Sequence, residues 1–386
     1  MRPRDRVLAA LSHEEPDRVP IDLGSCQVTS IASAAYVNLR AALGLPRTDV
    51  EITDPVQQLA LVEEDVLQAL EVDTRGIGPN PPASYRFEVF EEGEYLAYYD
   101  EWGAKLRKPK EGGHYFDWAE FPIKESSLEA LETYRWPDPD DPSRYAGLRE
   151  KARSLYENTD YALVGTAPLG SDILAMPQRT RGYAESMMDL IAEPEFTEAF
   201  LERLTQIALR AWSHFLDEVG EYIQVATLYE DLGTQTGPLI SPAIYRRLVK
   251  PREARIVELI KSKSNAKVFL HCCGAIREFI PDFIDIGIDI LNPIQVAAAG
   301  LGDTAQLKKD FGRHLTFWGA ACDSQRVFAF ATPEQAEAEA RRRIRDLAPG
   351  GGFVFAPIHN IQDDVPAANI LAVFRAAHEY GYYPIH

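Results

Sequence analysis

Apolar and polar positions along the chain fall into a repeated unit: a short β-branched or apolar run, a polar or glycine-bearing turn, then an amphipathic helix. The runs lie at 19–23, 72–77, 162–166, 223–228, 267–270, 288–291, 315–318 and 353–356. Regular alternation of strand and helix implies parallel strands joined by right-handed crossovers. Eight such units predict an α/β fold of the (β/α)8 barrel type, a TIM barrel. An open doubly wound sheet is the runner-up, but no glycine-rich phosphate loop follows the first run to support it.

Helix boundaries are marked by their own chemistry. Thr332-Pro333-Glu334-Gln335 reads as a capping box. Ser241-Pro242 opens a helix that Pro251 is expected to kink or divide. Asp364-Val365-Pro366 starts the last helix, which runs to about Tyr380.

Residues 83–125 break the pattern. Tyr85, Phe87 and Val89 alternate, Gly93 marks a turn, and Tyr95, Ala97 and Tyr99 alternate again. This predicts an antiparallel hairpin inserted after the second strand, continuing through 102–106. A loop there rises from the active-site face of a barrel, so the expectation is a lid on a single domain spanning 1–386.

Composition narrows the class of partner. The 386 residues are 46% hydrophobic and 26% charged, in the globular range. Forty basic against 59 acidic side chains give a net charge of −19, which repels phosphate backbones and anionic membranes, so neither nucleic acid nor membrane is expected as a partner. No apolar run is long enough for a signal or a span, and Cys26, Cys272, Cys273 and Cys322 are too few for a disulfide scaffold. The expected compartment is the cytoplasm, and the pattern leaves a homodimer open.

In a barrel, reactive groups gather where strands end. The sharpest local signal is Phe269-Leu270-His271-Cys272-Cys273-Gly274. Side chains two apart on a strand share a side, which pairs His271 with Cys273 and sends Cys272 into packing. Imidazole and thiolate are ligands that zinc favours. A third could come from His359 after the last strand, the first choice, or from Cys322 after the seventh. Glu230-Asp231 ends the fourth strand. Adjacent carboxylates rarely face one way, so one of the two is the candidate for acid–base work, for metal ligation or for pairing with a substrate cation. Asp22, Asn292, Gln295, Asn360 and Gln362 supply polar groups for an extended ligand. Basic groups facing the mouth are scarce, Arg75 being the clearest, which argues against a polyanionic substrate.

Several segments carry a family resemblance in order along the chain: 4–11 with Pro16-Asp17-Arg18-Val19-Pro20, Gly237-Pro238-Leu239-Ile240-Ser241-Pro242, His271–Gly274, 287–293, and Pro366 with Asn369-Ile370. Together they resemble the uroporphyrinogen decarboxylase-like superfamily; the 83–125 insertion lies outside the match. One branch of that superfamily decarboxylates uroporphyrinogen without a cofactor. The other comprises zinc-dependent methyltransferases working with a corrinoid protein. The decarboxylase signature Met-Arg-Gln-Ala-Gly-Arg is replaced here by Ile21-Asp22-Leu23-Gly24-Ser25, while the His-x-Cys-Gly of the methyltransferases stands at His271, Cys273 and Gly274.

The resemblance thus implies Zn2+ at His271, Cys273 and a third ligand, a corrinoid (cobalamin) carried by a partner protein, and a small methyl donor or acceptor. The thiol-specific members carry a cysteine near the end of the last strand, where this chain has His359. That substitution implies a more Lewis-acidic metal, suited to an ether, thioether or amine methyl group or to folate. The alternatives are a metal-free decarboxylase and a non-catalytic tetrapyrrole-binding barrel.

Overall fold

The computed structural model describes residues 1–170 and 172–385. Seven parallel strands follow one another in chain order around a curled sheet: Thr74–Ile77, Ala162–Gly165, Val225–Tyr229, Lys267–His271, Ile290–Asn292, Thr316–Trp318 and Phe353–Val354. Each begins within two residues of the expected start.

The first run departs from expectation. Residues 19–23 form no regular strand, and only Ile21 makes a parallel bridge, to Phe355. Pro20 has no N–H to give a ladder. The segment still closes the barrel with single bonds to both neighbours. Asp22 N–H donates to the Phe355 carbonyl and Phe355 N–H to the Pro20 carbonyl, each at 2.8 Å. On the other side Asp73 N–H donates to the Ile21 carbonyl, also at 2.8 Å.

Alternation along the strands sorts the core into two layers. Ala162, Val164, Val225, Phe269, Ile290, Trp318 and Val354 fill the barrel interior. Val7, Ala10 and Leu11 of helix Pro3–Leu11 belong to the same cluster. That helix plugs the end where the strands begin, with Arg4 N–H on the Asp160 carbonyl and Gly352 N–H on the Ala10 carbonyl. The intervening residues, among them Leu163, Ala226, Val268, Leu270, Leu291 and Phe317, pack outward against the helices.

Helix signals translate as chemistry predicts. Thr332 and Gln335 form the capping box of helix Pro333–Leu347. The division expected at Pro251 takes the form of a wide π-type turn over Tyr245–Val249, after which Pro251 sits in the first turn of Lys250–Lys263. A proline there forfeits an N–H that the first turn leaves unpaired anyway.

The insertion is larger than the hairpin expected: a four-stranded antiparallel sheet of Phe90–Glu92, Tyr95–Tyr99, Lys105–Pro109 and Asp117–Glu120. Its first strand starts at Phe90, beyond the alternating 85–89, because the Tyr85 hydroxyl takes up the Tyr99 carbonyl at 3.0 Å. Tyr98, Ala104, Leu106 and Phe116 give it a small core of its own. Phe116 N–H donates to the Val56 carbonyl, Tyr115 hydroxyl to Gln362, and His114 meets Asp363 at 2.6 Å. These bonds hold the sheet against the strand-end face of the barrel. Among the described residues, no helix is long and apolar enough to cross a membrane.

Candidate functional site

The site begins with a backbone carbonyl. Trp318 accepts a hydrogen bond from the Asn292 side-chain N–H2 at 2.9 Å. That bond fixes which way the amide points and turns its oxygen toward His271 Nδ1, 2.5 Å away. An amide oxygen only accepts, so Nδ1 carries the ring proton and Nε2 keeps a free lone pair. His271 and Asn292 are register partners on adjacent strands, both facing the barrel axis. Burial holds the imidazole below its ordinary pKa, favouring this neutral form.

The lone pair of Nε2 faces Cys273 Sγ at 3.3 Å. Asp231 completes a group in which one ligand atom each from Asp231, His271 and Cys273 lies within 4.8 Å of the others. Strand alternation explains the choice of carboxylate. Tyr229 faces inward, Glu230 outward and Asp231 inward again. Glu230 is buried and spends both oxygens on the backbone N–H groups of Leu174 and Ala175. Asp231 instead accepts from Cys273 N–H at 3.1 Å.

Two glycines make this approach possible. A Cβ on Gly274, whose φ is +87°, would lie 2.3 Å from the Gly233 carbonyl oxygen, and one on Gly233 would lie 2.6 Å from Ala275 N. The two loops therefore cross backbone to backbone, and Ala275 N–H donates to the Thr234 carbonyl at 2.8 Å. Gly274→Ala is expected to lower stability by about 1–3 kcal/mol from the backbone conformation alone. It should also separate Asp231 from Cys273. A lower thermal midpoint together with weaker zinc retention is the measurable outcome.

Nitrogen, sulfur and carboxylate oxygen in one cluster are the donor set that zinc takes. Without a cation the grouping is unfavourable: burial, and then the Asp231 carboxylate, push the Cys273 thiol well above its ordinary range. A bound dication reverses that balance, since it stabilises the thiolate and the carboxylate together. The residues fit a metal.

The other sequence candidates lie outside the three-donor cluster. His359 shares the cavity, its ring centroid 6.4 Å from that of His271. The three-donor cluster has Asp231 where the sequence suggested His359 or Cys322. Cys322 is sealed in the outer core, its thiol pushed up by burial. Asp22 is fully buried inside the barrel, accepting from Thr74 Oγ1 at 2.6 Å and Trp318 Nε1 at 2.9 Å. Arg75 does not face the mouth. Its neighbour Thr74 points inward, so Arg75 points out, pairing with Glu64 at 2.7 Å and stacking 3.5 Å over Tyr161. Gln295 accepts from Gly274 N–H at 2.6 Å. Gln362 accepts from Tyr115 and so fastens the insertion, while Asn360 donates to Gln57 at 2.6 Å, ahead of it in the chain.

A cavity of about 270 Å³ opens over the cluster, lined by Asp231, His271 and His359 below and by Tyr115 and Trp118 of the insertion above. A larger one of about 640 Å³ adjoins it, and Asp172, Arg179, Trp118 and Tyr229 line both. Sequence reading missed Asp172 and Arg179. The one available signal was Gly170 and Asp172 in the turn after the third barrel strand, which no recognised spacing ties to the cluster.

No curated protein matches this chain. Among solved structures, a methyltransferase from Methanosarcina mazei superposes with a TM-score of 0.65 at 20% identity, over 98% of this chain and 99% of that one, which establishes the shared fold. A Bacteroides fragilis protein described as an alpha-galactosidase/melibiase aligns over 93% of this chain and 59% of its own at 10% identity, with a TM-score of 0.38. Residues 104–380 match the family model described as Uroporphyrinogen decarboxylase (URO-D), and with more than half its length inside that match the chain belongs to this family.

Proposed function

We propose that this chain is a zinc-dependent methyltransferase that moves a methyl group between a corrinoid on a partner protein and a small O-, S- or N-methyl substrate, thiol or folate. The observation that carries the reading is the His271–Cys273–Asp231 cluster, with Asn292 fixing the imidazole tautomer. His271 Nε2, Cys273 Sγ and Asp231 would hold the zinc, and His359 stands across the same cavity. When bound, zinc supplies a Lewis-acid centre that holds a thiolate or polarises a methylated heteroatom. Asn292 keeps His271 from rotating and holds the ring proton on Nδ1, which leaves Nε2 to the metal. The inserted sheet, with Trp118 and Tyr115, walls one side of the site, so 1–386 acts as one unit with 83–125 as its cover.

The competing reading is the decarboxylase that gives the family its description. A polycarboxylate substrate requires unpaired cations at the mouth. Both arginines of the larger cavity are engaged, Arg179 with Asp172 at 2.8 Å and Arg144 with Glu101. The Methanosarcina mazei protein of the same fold is described as a methyltransferase, in keeping with the first reading.

Purified protein is expected to hold one equivalent of zinc, and His271→Ala to lose it. Added methylcobalamin should show the visible change of demethylation in the presence of a thiol or folate acceptor. Zinc below about half an equivalent, with His271 and Cys273 intact, removes the basis of the proposal.

A further inference from the structure

The larger cavity between the barrel mouth and the inserted sheet has a chemistry that the cluster does not use. Asp172 is 3% exposed. One of its oxygens takes the Arg179 guanidinium at 2.8 Å, while Oδ1, equally buried, has no hydrogen-bond partner among the described residues. The contrast with Glu230 is direct, since that buried carboxylate has both oxygens engaged by backbone N–H groups. A buried carboxylate oxygen without a partner, on a residue that lines a cavity, is a vacancy for a donor.

The rest of the lining says which kind of donor. Asp54, Asp100, Glu101 and Asp172 face Arg144 and Arg179. Each arginine is paired with its own acid, Glu101 or Asp172, so the lining carries two more carboxylates than cations, with Asp54 and Asp100 sharing the field of Arg179. The walls between them are aromatic, with Tyr85, Tyr98, Trp102 and Trp118 among the lining residues. A cation already sits on one of these faces, the Arg179 guanidinium 5.4 Å from the Trp118 ring centroid. Excess carboxylate and aromatic faces together select for positive charge. A volume of about 640 Å³ has room for an apolar body as well as a charged head.

We propose that this cavity binds an organic ammonium ion with an apolar or aromatic body, its N–H donated to Asp172 Oδ1. Asp172 lines both cavities, so the ammonium end of the ligand lies beside the cavity of Asp231 and His271. The inference rests on the proposed function only for what becomes of the ligand; of the heteroatoms that function leaves open, nitrogen is the one this cavity selects.

Three probes of one size and different charge test it by calorimetry on the full chain at neutral pH: N-methylbenzylamine, present as the ammonium, its uncharged isostere benzyl methyl ether, and the anion phenylacetate. The ammonium is expected to bind at least ~10-fold more tightly than the ether, as a charge-assisted hydrogen bond to a buried acceptor predicts, with phenylacetate weakest. Asp172→Asn should bring ammonium and ether to within about twofold of each other by removing that acceptor's charge. Equal affinity for ammonium and ether, or preference for phenylacetate, overturns the proposal on the wild-type protein alone, whatever the variant does. So does a variant that keeps the full discrimination. Binding is read without corrinoid or acceptor. Ammonium selectivity in a protein that transfers no methyl group would therefore sink the proposed function and leave this inference standing, and methyl transfer without ammonium selectivity would do the reverse.

Discussion

Cys273→Ala is expected to empty the metal site and reduce methyl transfer by well over the roughly 100-fold that loss of an outer hydrogen-bond partner costs a metal site, while Cys272→Ala leaves both intact. The two cysteines are adjacent in sequence and opposite in environment. Cys273 Sγ lies 3.3 Å from His271 Nε2 and inside the three-donor cluster. Cys272 is fully buried in the outer layer of the core, and its truncation removes one small side chain from packing, at about 1–2 kcal/mol. Asn292 gives the graded case. Asn292→Leu leaves every donor in place but frees the imidazole to turn and to change tautomer, which predicts a ~10–100-fold loss of zinc affinity, beside a stability cost of about 1–3 kcal/mol for each buried group it strands, the His271 N–H and the Trp318 carbonyl. Zinc retention and turnover measured side by side across the three variants decide the matter. Wild-type turnover by Cys273→Ala would show that the cluster is not where the reaction occurs.

The barrel was legible because its signal is periodic and repeated, and a misplaced residue or two at a strand end does not disturb the count. The exception is instructive. Residues 19–23 read as a strand by composition, yet Pro20 removes a donor, and the segment closes the barrel through three single bonds. The site was legible only where ligands lie within one strand end. His271 and Cys273 are two residues apart on one strand, so alternation alone pairs them. The contribution of Asp231 depends on two glycine-bearing loops crossing at van der Waals distance, a contact between segments about forty residues apart that no local pattern encodes. Arg75 shows the converse error. A basic residue near a strand end looks mouth-facing until the phase of the strand is known, and Thr74 on Asp22 sets that phase the other way.

The phase of that same strand is anchored by a buried charge whose removal should have the largest effect on stability. Asp73→Ala is expected to cost about 3–5 kcal/mol, the range for stranding buried charge by deleting its partner, out of a total that for a single domain is typically about 5–15 kcal/mol. Asp73 is 1% exposed and takes guanidinium groups from both sides, Arg6 at 2.5 Å and Arg18 at 2.8 Å. Its Oδ2 also accepts Ile21 N–H at 2.8 Å. One carboxylate thus ties together the plug helix, the irregular closing segment and the second strand of the barrel. Arg6 retains Asp17 when Asp73 is lost, but Arg18 keeps only carbonyl oxygens and the distant, largely exposed Glu71 at 3.8 Å. The closing segment has no ladder to fall back on, so local opening there should propagate to the seam between Ile21 and Phe355. Urea unfolding provides the measurement, with Glu218→Ala as the control, since its pair with Arg149 is a surface contact whose loss should leave the midpoint unchanged. An Asp73→Ala midpoint equal to that of the control would mean that closure of the barrel does not depend on this ion cluster.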